Sequence, residues 1–210
     1  MSEEAVSTAR QATVERRTAE TSIDLPDEPY VLVTTGGGGD GARILDWVLR
    51  AYETDPALRQ HALLVYGPFL DATARQQYDE RVNALDGRVT ALSFHPRLER
   101  LLANAGGVVA MGGYNTFCEI LSMDKPAIIV PRTSPRREQA IRAEAAENLG
   151  LVRMLLPERD GESAQTMAEA IKALAYQRTP SSSDIPGLMD GLQTIAERSI
   201  SICHSASRDG

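Results

Sequence analysis

The chain has 210 residues, 42% of them hydrophobic and 24% charged, with a formal net charge of -7. That length suits one well-buried domain and is short for two, and the acidic balance argues against a nucleic-acid-binding surface. The two cysteines have no metal-ligand spacing, and no run nears the roughly 20 apolar residues of a membrane span, so a cytoplasmic chain with free thiols is expected.

Residues 1–29 are polar with mixed charge and lack the apolar core of a secretory signal, which predicts a flexible linker or leader. Residues 30–35 read as the first strand, and the glycine loop of residues 36–41 leads into a helix with Ile44, Leu45, Val48 and Leu49 inward. A second strand at 62–66 precedes a helix over about residues 71–84, and Asp86 and Gly87 turn the chain into a third strand at 88–92. Phe94, His95 and Pro96 then open a helix running through Leu98, Leu101 and Leu102 to Asn104. The short β-branched run at 107–110 is a fourth strand. It passes through Gly112 and Gly113 into a helix with Phe117, Ile120 and Leu121 on one face, whose first turn Asn115 or Thr116 is expected to cap.

Residues 126–131 form a fifth strand, and the arginine- and proline-rich stretch 132–139 opens a helix with Ile141, Ala145 and Leu149 on one face, closed at Gly150. A sixth strand is expected within 151–155. Helices around 163–176 and 186–200 follow, separated by a loop at 179–183, and residues 201–210 form a mobile tail. This alternation predicts an α/β fold, a doubly wound, parallel, six-stranded Rossmann-like sheet over residues 30–200.

In such a sheet a ligand sits beyond the carboxyl ends of the strands. The segments there are residues 36–41, 94–95, 112–116 and 132–139, which together supply backbone N–H groups, two helix N-termini and the guanidiniums of Arg132, Arg136 and Arg137. That combination suits a diphosphate. Gly112 and Gly113 leave the backbone bare where strand becomes helix, and Glu119, a turn further on, is placed to accept hydrogen bonds from a sugar hydroxyl beside the phosphate. Gly36, Gly38 and Gly41 formally match the dinucleotide glycine pattern, but Tyr66, Gly67 and Pro68 stand where that fold needs an acidic residue at the end of the second strand. Asp40 reads as a helix cap or a ligand-facing residue, and Glu138 as an offset to its helix dipole. His95 reads as a helix-start residue, and with three histidines in the chain no metal site or base–nucleophile set can be assembled, so no catalytic residue is assigned.

Taken in order, the motifs Thr35 with Gly36, Gly37, Gly38, Gly39, Asp40 and Gly41, then residues 111–119, then residues 131–139, resemble the C-terminal donor-binding half of GT-B glycosyltransferases. The likeness is nearest to bacterial enzymes akin to the cell-wall transferase that uses UDP-N-acetylglucosamine. The resemblance implies a single GT-B half that binds a UDP-sugar, in an inverting hexosyltransferase that needs neither metal nor cofactor. Gly36 to Gly39 would line the diphosphate, and Gly112, Gly113 and Thr116, with Tyr114 and Asn115 in the same turn, would hold phosphate at the helix N-terminus. Glu119 would bind the ribose, Phe94 with His95 would lie beside the uracil, Glu138 and Gln139 would contact the sugar, and Arg132 would pair with phosphate.

The acceptor half of such enzymes is not encoded in these residues, so an acceptor-binding domain or subunit is expected as partner. The two-chain N-acetylglucosaminyltransferase of dolichol-linked glycan assembly is built in that way. Attachment to a membrane would then be peripheral, through the partner, and the helix at 186–200 is expected to expose apolar surface for association, including with a second copy. The alternatives are a UDP-sugar 2-epimerase-like domain, which shares the Gly-Gly helix start with a following glutamate, and a non-catalytic nucleotide-sugar binding module.

Overall fold

The computed structural model describes residues 28–36, 41–183, 185 and 188. The expectations placed on Gly37, Gly38, Gly39 and Asp40, on the leader, on the helix at 186–200 and on the tail lie outside the described residues.

Six strands, β1 (Val31–Thr34), β2 (Ala62–Val65), β3 (Val89–Leu92), β4 (Gly107–Ala110), β5 (Ala127–Ile129) and β6 (Arg153–Met154), form one parallel sheet in the order β3-β2-β1-β4-β5-β6. β1 lies in register with both neighbours, Val31 opposite Ala62 and Gly107, and Thr34 opposite Val65 and Ala110. The central strands are buried at every position because both faces are covered, and the pleat deals successive side chains to opposite cores. Val31, Val33, Leu64, Val109 and Ile128 enter one core, while Leu32, Leu63, Val108 and Ile129 enter the other.

The connecting helices are α1 (Ala42–Thr54), α2 (Ala72–Asn83), α3 (Leu98–Asn104), α4 (Tyr114–Ser122), α5 (Glu138–Asn148), α6 (Pro157–Asp160) and α7 (Ala164–Leu174). α1 and α7 pack against each other over the first core, whereas α3, α4 and α5 cover the second. The turn into β3 carries two positive φ angles, 49° at Asp86 and 75° at Gly87, as the Asp-Gly pair predicts.

Four details depart from expectation. β6 pairs over two residues only, α6 was not foreseen, and Pro180–Ser182 form a 3-10 turn inside the expected loop. The fourth concerns α5, whose buried residues are Ala140, Ala143 and Ala146, while Ile141 and Leu149 are 61% and 49% exposed and Ala145 also faces outward. The larger apolar side chains lost the sheet because two polar anchors on the alanine side, Gln139 and Arg142, set the rotation of the helix. Arg142 Nη1 donates to the carbonyl of Gly112 at 2.7 Å, and Gln139 Oε1 accepts from the Arg132 N–H at 3.0 Å. Gln139, Arg142, Ala143 and Ala146 share one face by helical spacing.

Candidate functional site

β1 and β4 are neighbours, yet the helices that follow them cover opposite faces of the sheet. The chain therefore parts in two directions at their carboxyl ends, and a crevice opens between the loops at the switch in strand order. Here it is a cleft of about 80 Å³ walled by Thr34, Thr35 and Gly36 on one side and by Gly112, Gly113 and Thr116 on the other, with Arg132 and Gln139 closing a third.

Gly112 has φ +75°, and a Cβ there would lie 2.7 Å from Ile129 Cγ2, so backbone angle and close packing both require glycine. Gly113 is the N-cap of α4, has no side-chain cap hydrogen bond, and a Cβ on it would meet nothing within 4 Å. Neither Asn115 nor Thr116 caps the helix, contrary to expectation. Both lie inside its first turn, because Phe117 N–H already reaches the Gly113 carbonyl at 2.8 Å. The leading N–H groups of α4 and its positive dipole end thus open on the cleft.

The facing wall is equally constrained. Thr35 Oγ1 donates to the Tyr66 carbonyl at 2.8 Å, tying the end of β1 to the end of β2, and Gly36 takes φ +70°. Gly41 starts α1 so close above Thr35 that a Cβ would fall 2.1 Å from Thr35 Cβ. Burial raises the Tyr66 phenol above its usual range, and its hydroxyl donates to Asp79 Oδ1 at 2.9 Å, so the position where a dinucleotide fold would present a carboxylate is committed to α2.

On the third wall Arg132 Nη2 donates to Glu138 Oε1 at 3.2 Å, and Glu138 turns to the outside rather than lining the cleft. Arg142 was missed by sequence reasoning. Besides holding the Gly112 carbonyl, its guanidinium lies 5.5 Å from the centroid of the Tyr114 ring and 5.8 Å from that of Phe117, bracing the turn from α5. The available signal was its spacing, three and four residues after Gln139 and Glu138, on the same helix face.

A second cavity of about 220 Å³ adjoins the cleft through Met111 and Arg132, and runs between the start of α1, the loop after β5 and α6. Arg43 stands at its mouth. Its Nε and Nη2 donate to the two oxygens of Glu162 at 2.9 and 2.8 Å, and Nη1 lies 3.8 Å from Glu158 Oε1. The hydrogen bond from Arg43 holds the Glu162 carboxyl below the usual range.

The remaining expected residues surround this centre without lining it. Glu119 is half-buried one turn beyond Thr116 on α4. Phe94, 41% exposed, follows β3, which stands two strands from β1, or about 10 Å at the usual spacing. His95 Nδ1 accepts the Arg97 N–H at 3.2 Å at the start of α3, the helix-start role. Tyr114 is 68% exposed beside Arg142. Among the described residues no three His, Cys, Asp or Glu side chains gather into a metal-holding group, and no helix is long and apolar enough to cross a membrane.

Comparison with known proteins agrees with this architecture. Residues 30–183 match the family model of the glycosyltransferase family 28 C-terminal domain, and the chain belongs to that family. Its fold is that of a single Rossmann-like GT-B half. Among solved structures it resembles the calicheamicin glycosyltransferase CalG4, with 24% identity, a TM-score of 0.54, and coverage of 72% of this chain and 35% of that one. MurG of Acinetobacter baumannii gives 15% identity and a TM-score of 0.50, covering 80% of this chain and 50% of that one. The solution structure of ALG13 gives 14% and 0.56, covering 78% and 94%. The chain thus spans about a third of CalG4 and half of MurG, but nearly all of ALG13. No curated protein sequence matches it.

Proposed function

We propose that this chain is the donor-binding half of a hexosyltransferase, taking a UDP-sugar and completing an inverting active site with an acceptor-binding domain or subunit. The observation that carries the reading is the uncapped N-terminus of α4, opened by the left-handed Gly112 and facing Gly36 across the switch point. A diphosphate there meets backbone N–H groups and a helix dipole, with the Arg132 guanidinium alongside. The same donors would stabilise UDP as it leaves, so the reaction as proposed calls on no bound metal or cofactor. α4 then carries the nucleoside past Thr116 to Glu119, whose carboxylate accepts from the ribose, and toward Phe94 for the base.

Calorimetric titration with UDP, UDP-N-acetylglucosamine, ADP and NAD tests this reading. Selective binding of the uridine nucleotides is expected, and Glu119→Ala should weaken it by about 1.5–3 kcal/mol, the worth of a hydrogen bond to a charged group. Equal binding of ADP, or none of UDP, would overturn the assignment of the donor. Unchanged affinity in Glu119→Ala would remove that residue as the ribose ligand.

A further inference from the structure

The buried polar side chains among the described residues are Thr34 and Thr35, 2% and 3% exposed, and both stand where β1 runs into the glycine loop. A hydroxyl costs free energy to bury unless it is hydrogen-bonded, so each needs a partner there. Thr34 Oγ1 accepts the Gly36 N–H in a long contact of 3.4 Å. Thr35 Oγ1 makes the tighter bond, donating to the Tyr66 carbonyl at 2.8 Å, with the Gly36 carbonyl a more distant neighbour at 3.4 Å. Its one proton is thus committed inside the protein and is not offered to a ligand.

The acceptor of that bond is itself fixed. Tyr66 is 3% exposed, its N–H donates to the Leu92 carbonyl of β3 at 2.9 Å, and its phenol donates to Asp79 of α2 at 2.9 Å. One residue therefore joins β1, β3 and α2 at the carboxyl edge. Glycines close around the Thr35 side chain from two directions. A Cβ on Gly41 would stand 2.1 Å from Thr35 Cβ, and one on Gly67, whose φ is +85°, would stand 3.0 Å from both Thr35 Oγ1 and the Gly36 carbonyl oxygen. The β-branched side chain is held at χ1 in a space that only glycine neighbours leave. Gly36, by contrast, has φ +70° and open space where a Cβ would be. It has no side chain to set its direction, so that direction comes from the residue before it.

We infer that Thr35 is a positioning residue for the donor diphosphate: by bonding the Tyr66 carbonyl, its hydroxyl holds Gly36 in the left-handed conformation that faces the α4 N-terminus across the cleft. The inference rests on the donor-half reading and extends it to a residue that supports the phosphate wall without touching the ligand.

The test compares the affinities for UDP and for uridine, which lacks the phosphates, in the unaltered chain and in variants at this position. Thr35→Ser keeps the hydroxyl and should bind UDP as the unaltered chain does. Thr35→Val keeps the branched shape without the donor, and Thr35→Ala removes both, in case the added methyl of valine crowds the carbonyl and disturbs the fold. Valine and alanine should each weaken UDP about tenfold, the worth of one hydrogen bond, and leave uridine unchanged, which also reports that the variant is folded. If the unaltered chain binds UDP and the variants that still bind uridine keep the same UDP affinity, the positioning role falls and the donor reading stands. A serine variant as weak as alanine, or equal losses of UDP and uridine in alanine, would assign Thr35 to packing and overturn the inference. If the unaltered chain binds neither compound, both readings fall.

Discussion

α4 and α5 enter the candidate site side by side on the same face of the sheet, and neither has a side-chain cap, yet only α4 is open to an anion. The α4 N-terminus has two glycines before it, no acidic residue in its first turn, and open space where a Gly113 side chain would stand. α5 begins with Glu138, which offsets its dipole and takes a hydrogen bond from Arg132, and its Gln139 side chain is used to hold the loop backbone. The chain fills one helix end with its own side chains and leaves the other for a ligand. The difference teaches that a helix N-terminus becomes a site through what is absent around it, and that α5 serves chiefly as the brace of α4.

The sharpest way to break this contrast is Gly112→Ala. A Cβ at φ +75° and 2.7 Å from Ile129 Cγ2 cannot be accommodated without moving the turn, at a cost of about 1–3 kcal/mol. The expected outcome is a lower thermal midpoint together with loss of measurable UDP binding. Retention of both would mean that the turn does not form the site.

Removing the brace comes next. Arg142→Met keeps the packed stem but loses the guanidinium, so the Gly112 carbonyl and the rings of Tyr114 and Phe117 lose their partner. UDP affinity should fall about tenfold while uridine, which has no phosphate, binds as before. Arg142→Lys should restore only part of it, because an ammonium cannot both stack and reach as a fork does. Equal losses for UDP and uridine would indicate general damage rather than positioning of the phosphate turn.

The smallest expected effect sharpens the contrast by making α5 more like α4. Glu138→Gln removes the negative charge from the α5 N-terminus and with it the Arg132–Glu138 ion pair. UDP binding should tighten by about 0.3–1 kcal/mol in low-salt titrations, and the gain should shrink as salt is added. Weaker binding would instead place Glu138 on the ligand.

Much of this was legible in the sequence, and the limits are physical. The β-branched runs and the glycines at 36, 41, 112 and 113 gave the strand–turn–helix order, because a buried parallel strand and a left-handed turn each leave a local signature. The capping role assigned to Asn115 or Thr116 failed because Gly113 takes the cap position in the backbone itself, after a left-handed Gly112 packed on Ile129 from the next strand. The face of α5 was misjudged for a similar reason. Hydrophobicity favours Ile141 and Leu149, but the close approach permitted by Ala140, Ala143 and Ala146, with Arg142 anchored on Gly112, is a tertiary fact. Glu158 and Arg43 carry no local motif, since they meet only when α6 is brought beside the start of α1.

The packing of α7 along α1 also sets an order in time. Trp47, the single tryptophan of the chain, is fully buried, and its indole N–H donates to the Ser163 carbonyl at 2.7 Å across 116 positions of sequence. At roughly 5–20 residues per second of synthesis, the apolar side of α1 waits on the order of ten seconds for residues 163–174 to emerge and cover it. In that interval Ile44, Leu45 and Trp47 lack the helix that seals them, which makes this patch a natural station for a chaperone and a hazard for nascent chains crowded on one message. Among the described helices α1 is thus the first to be synthesised, and it is enclosed only once α7, the last of them, has been made.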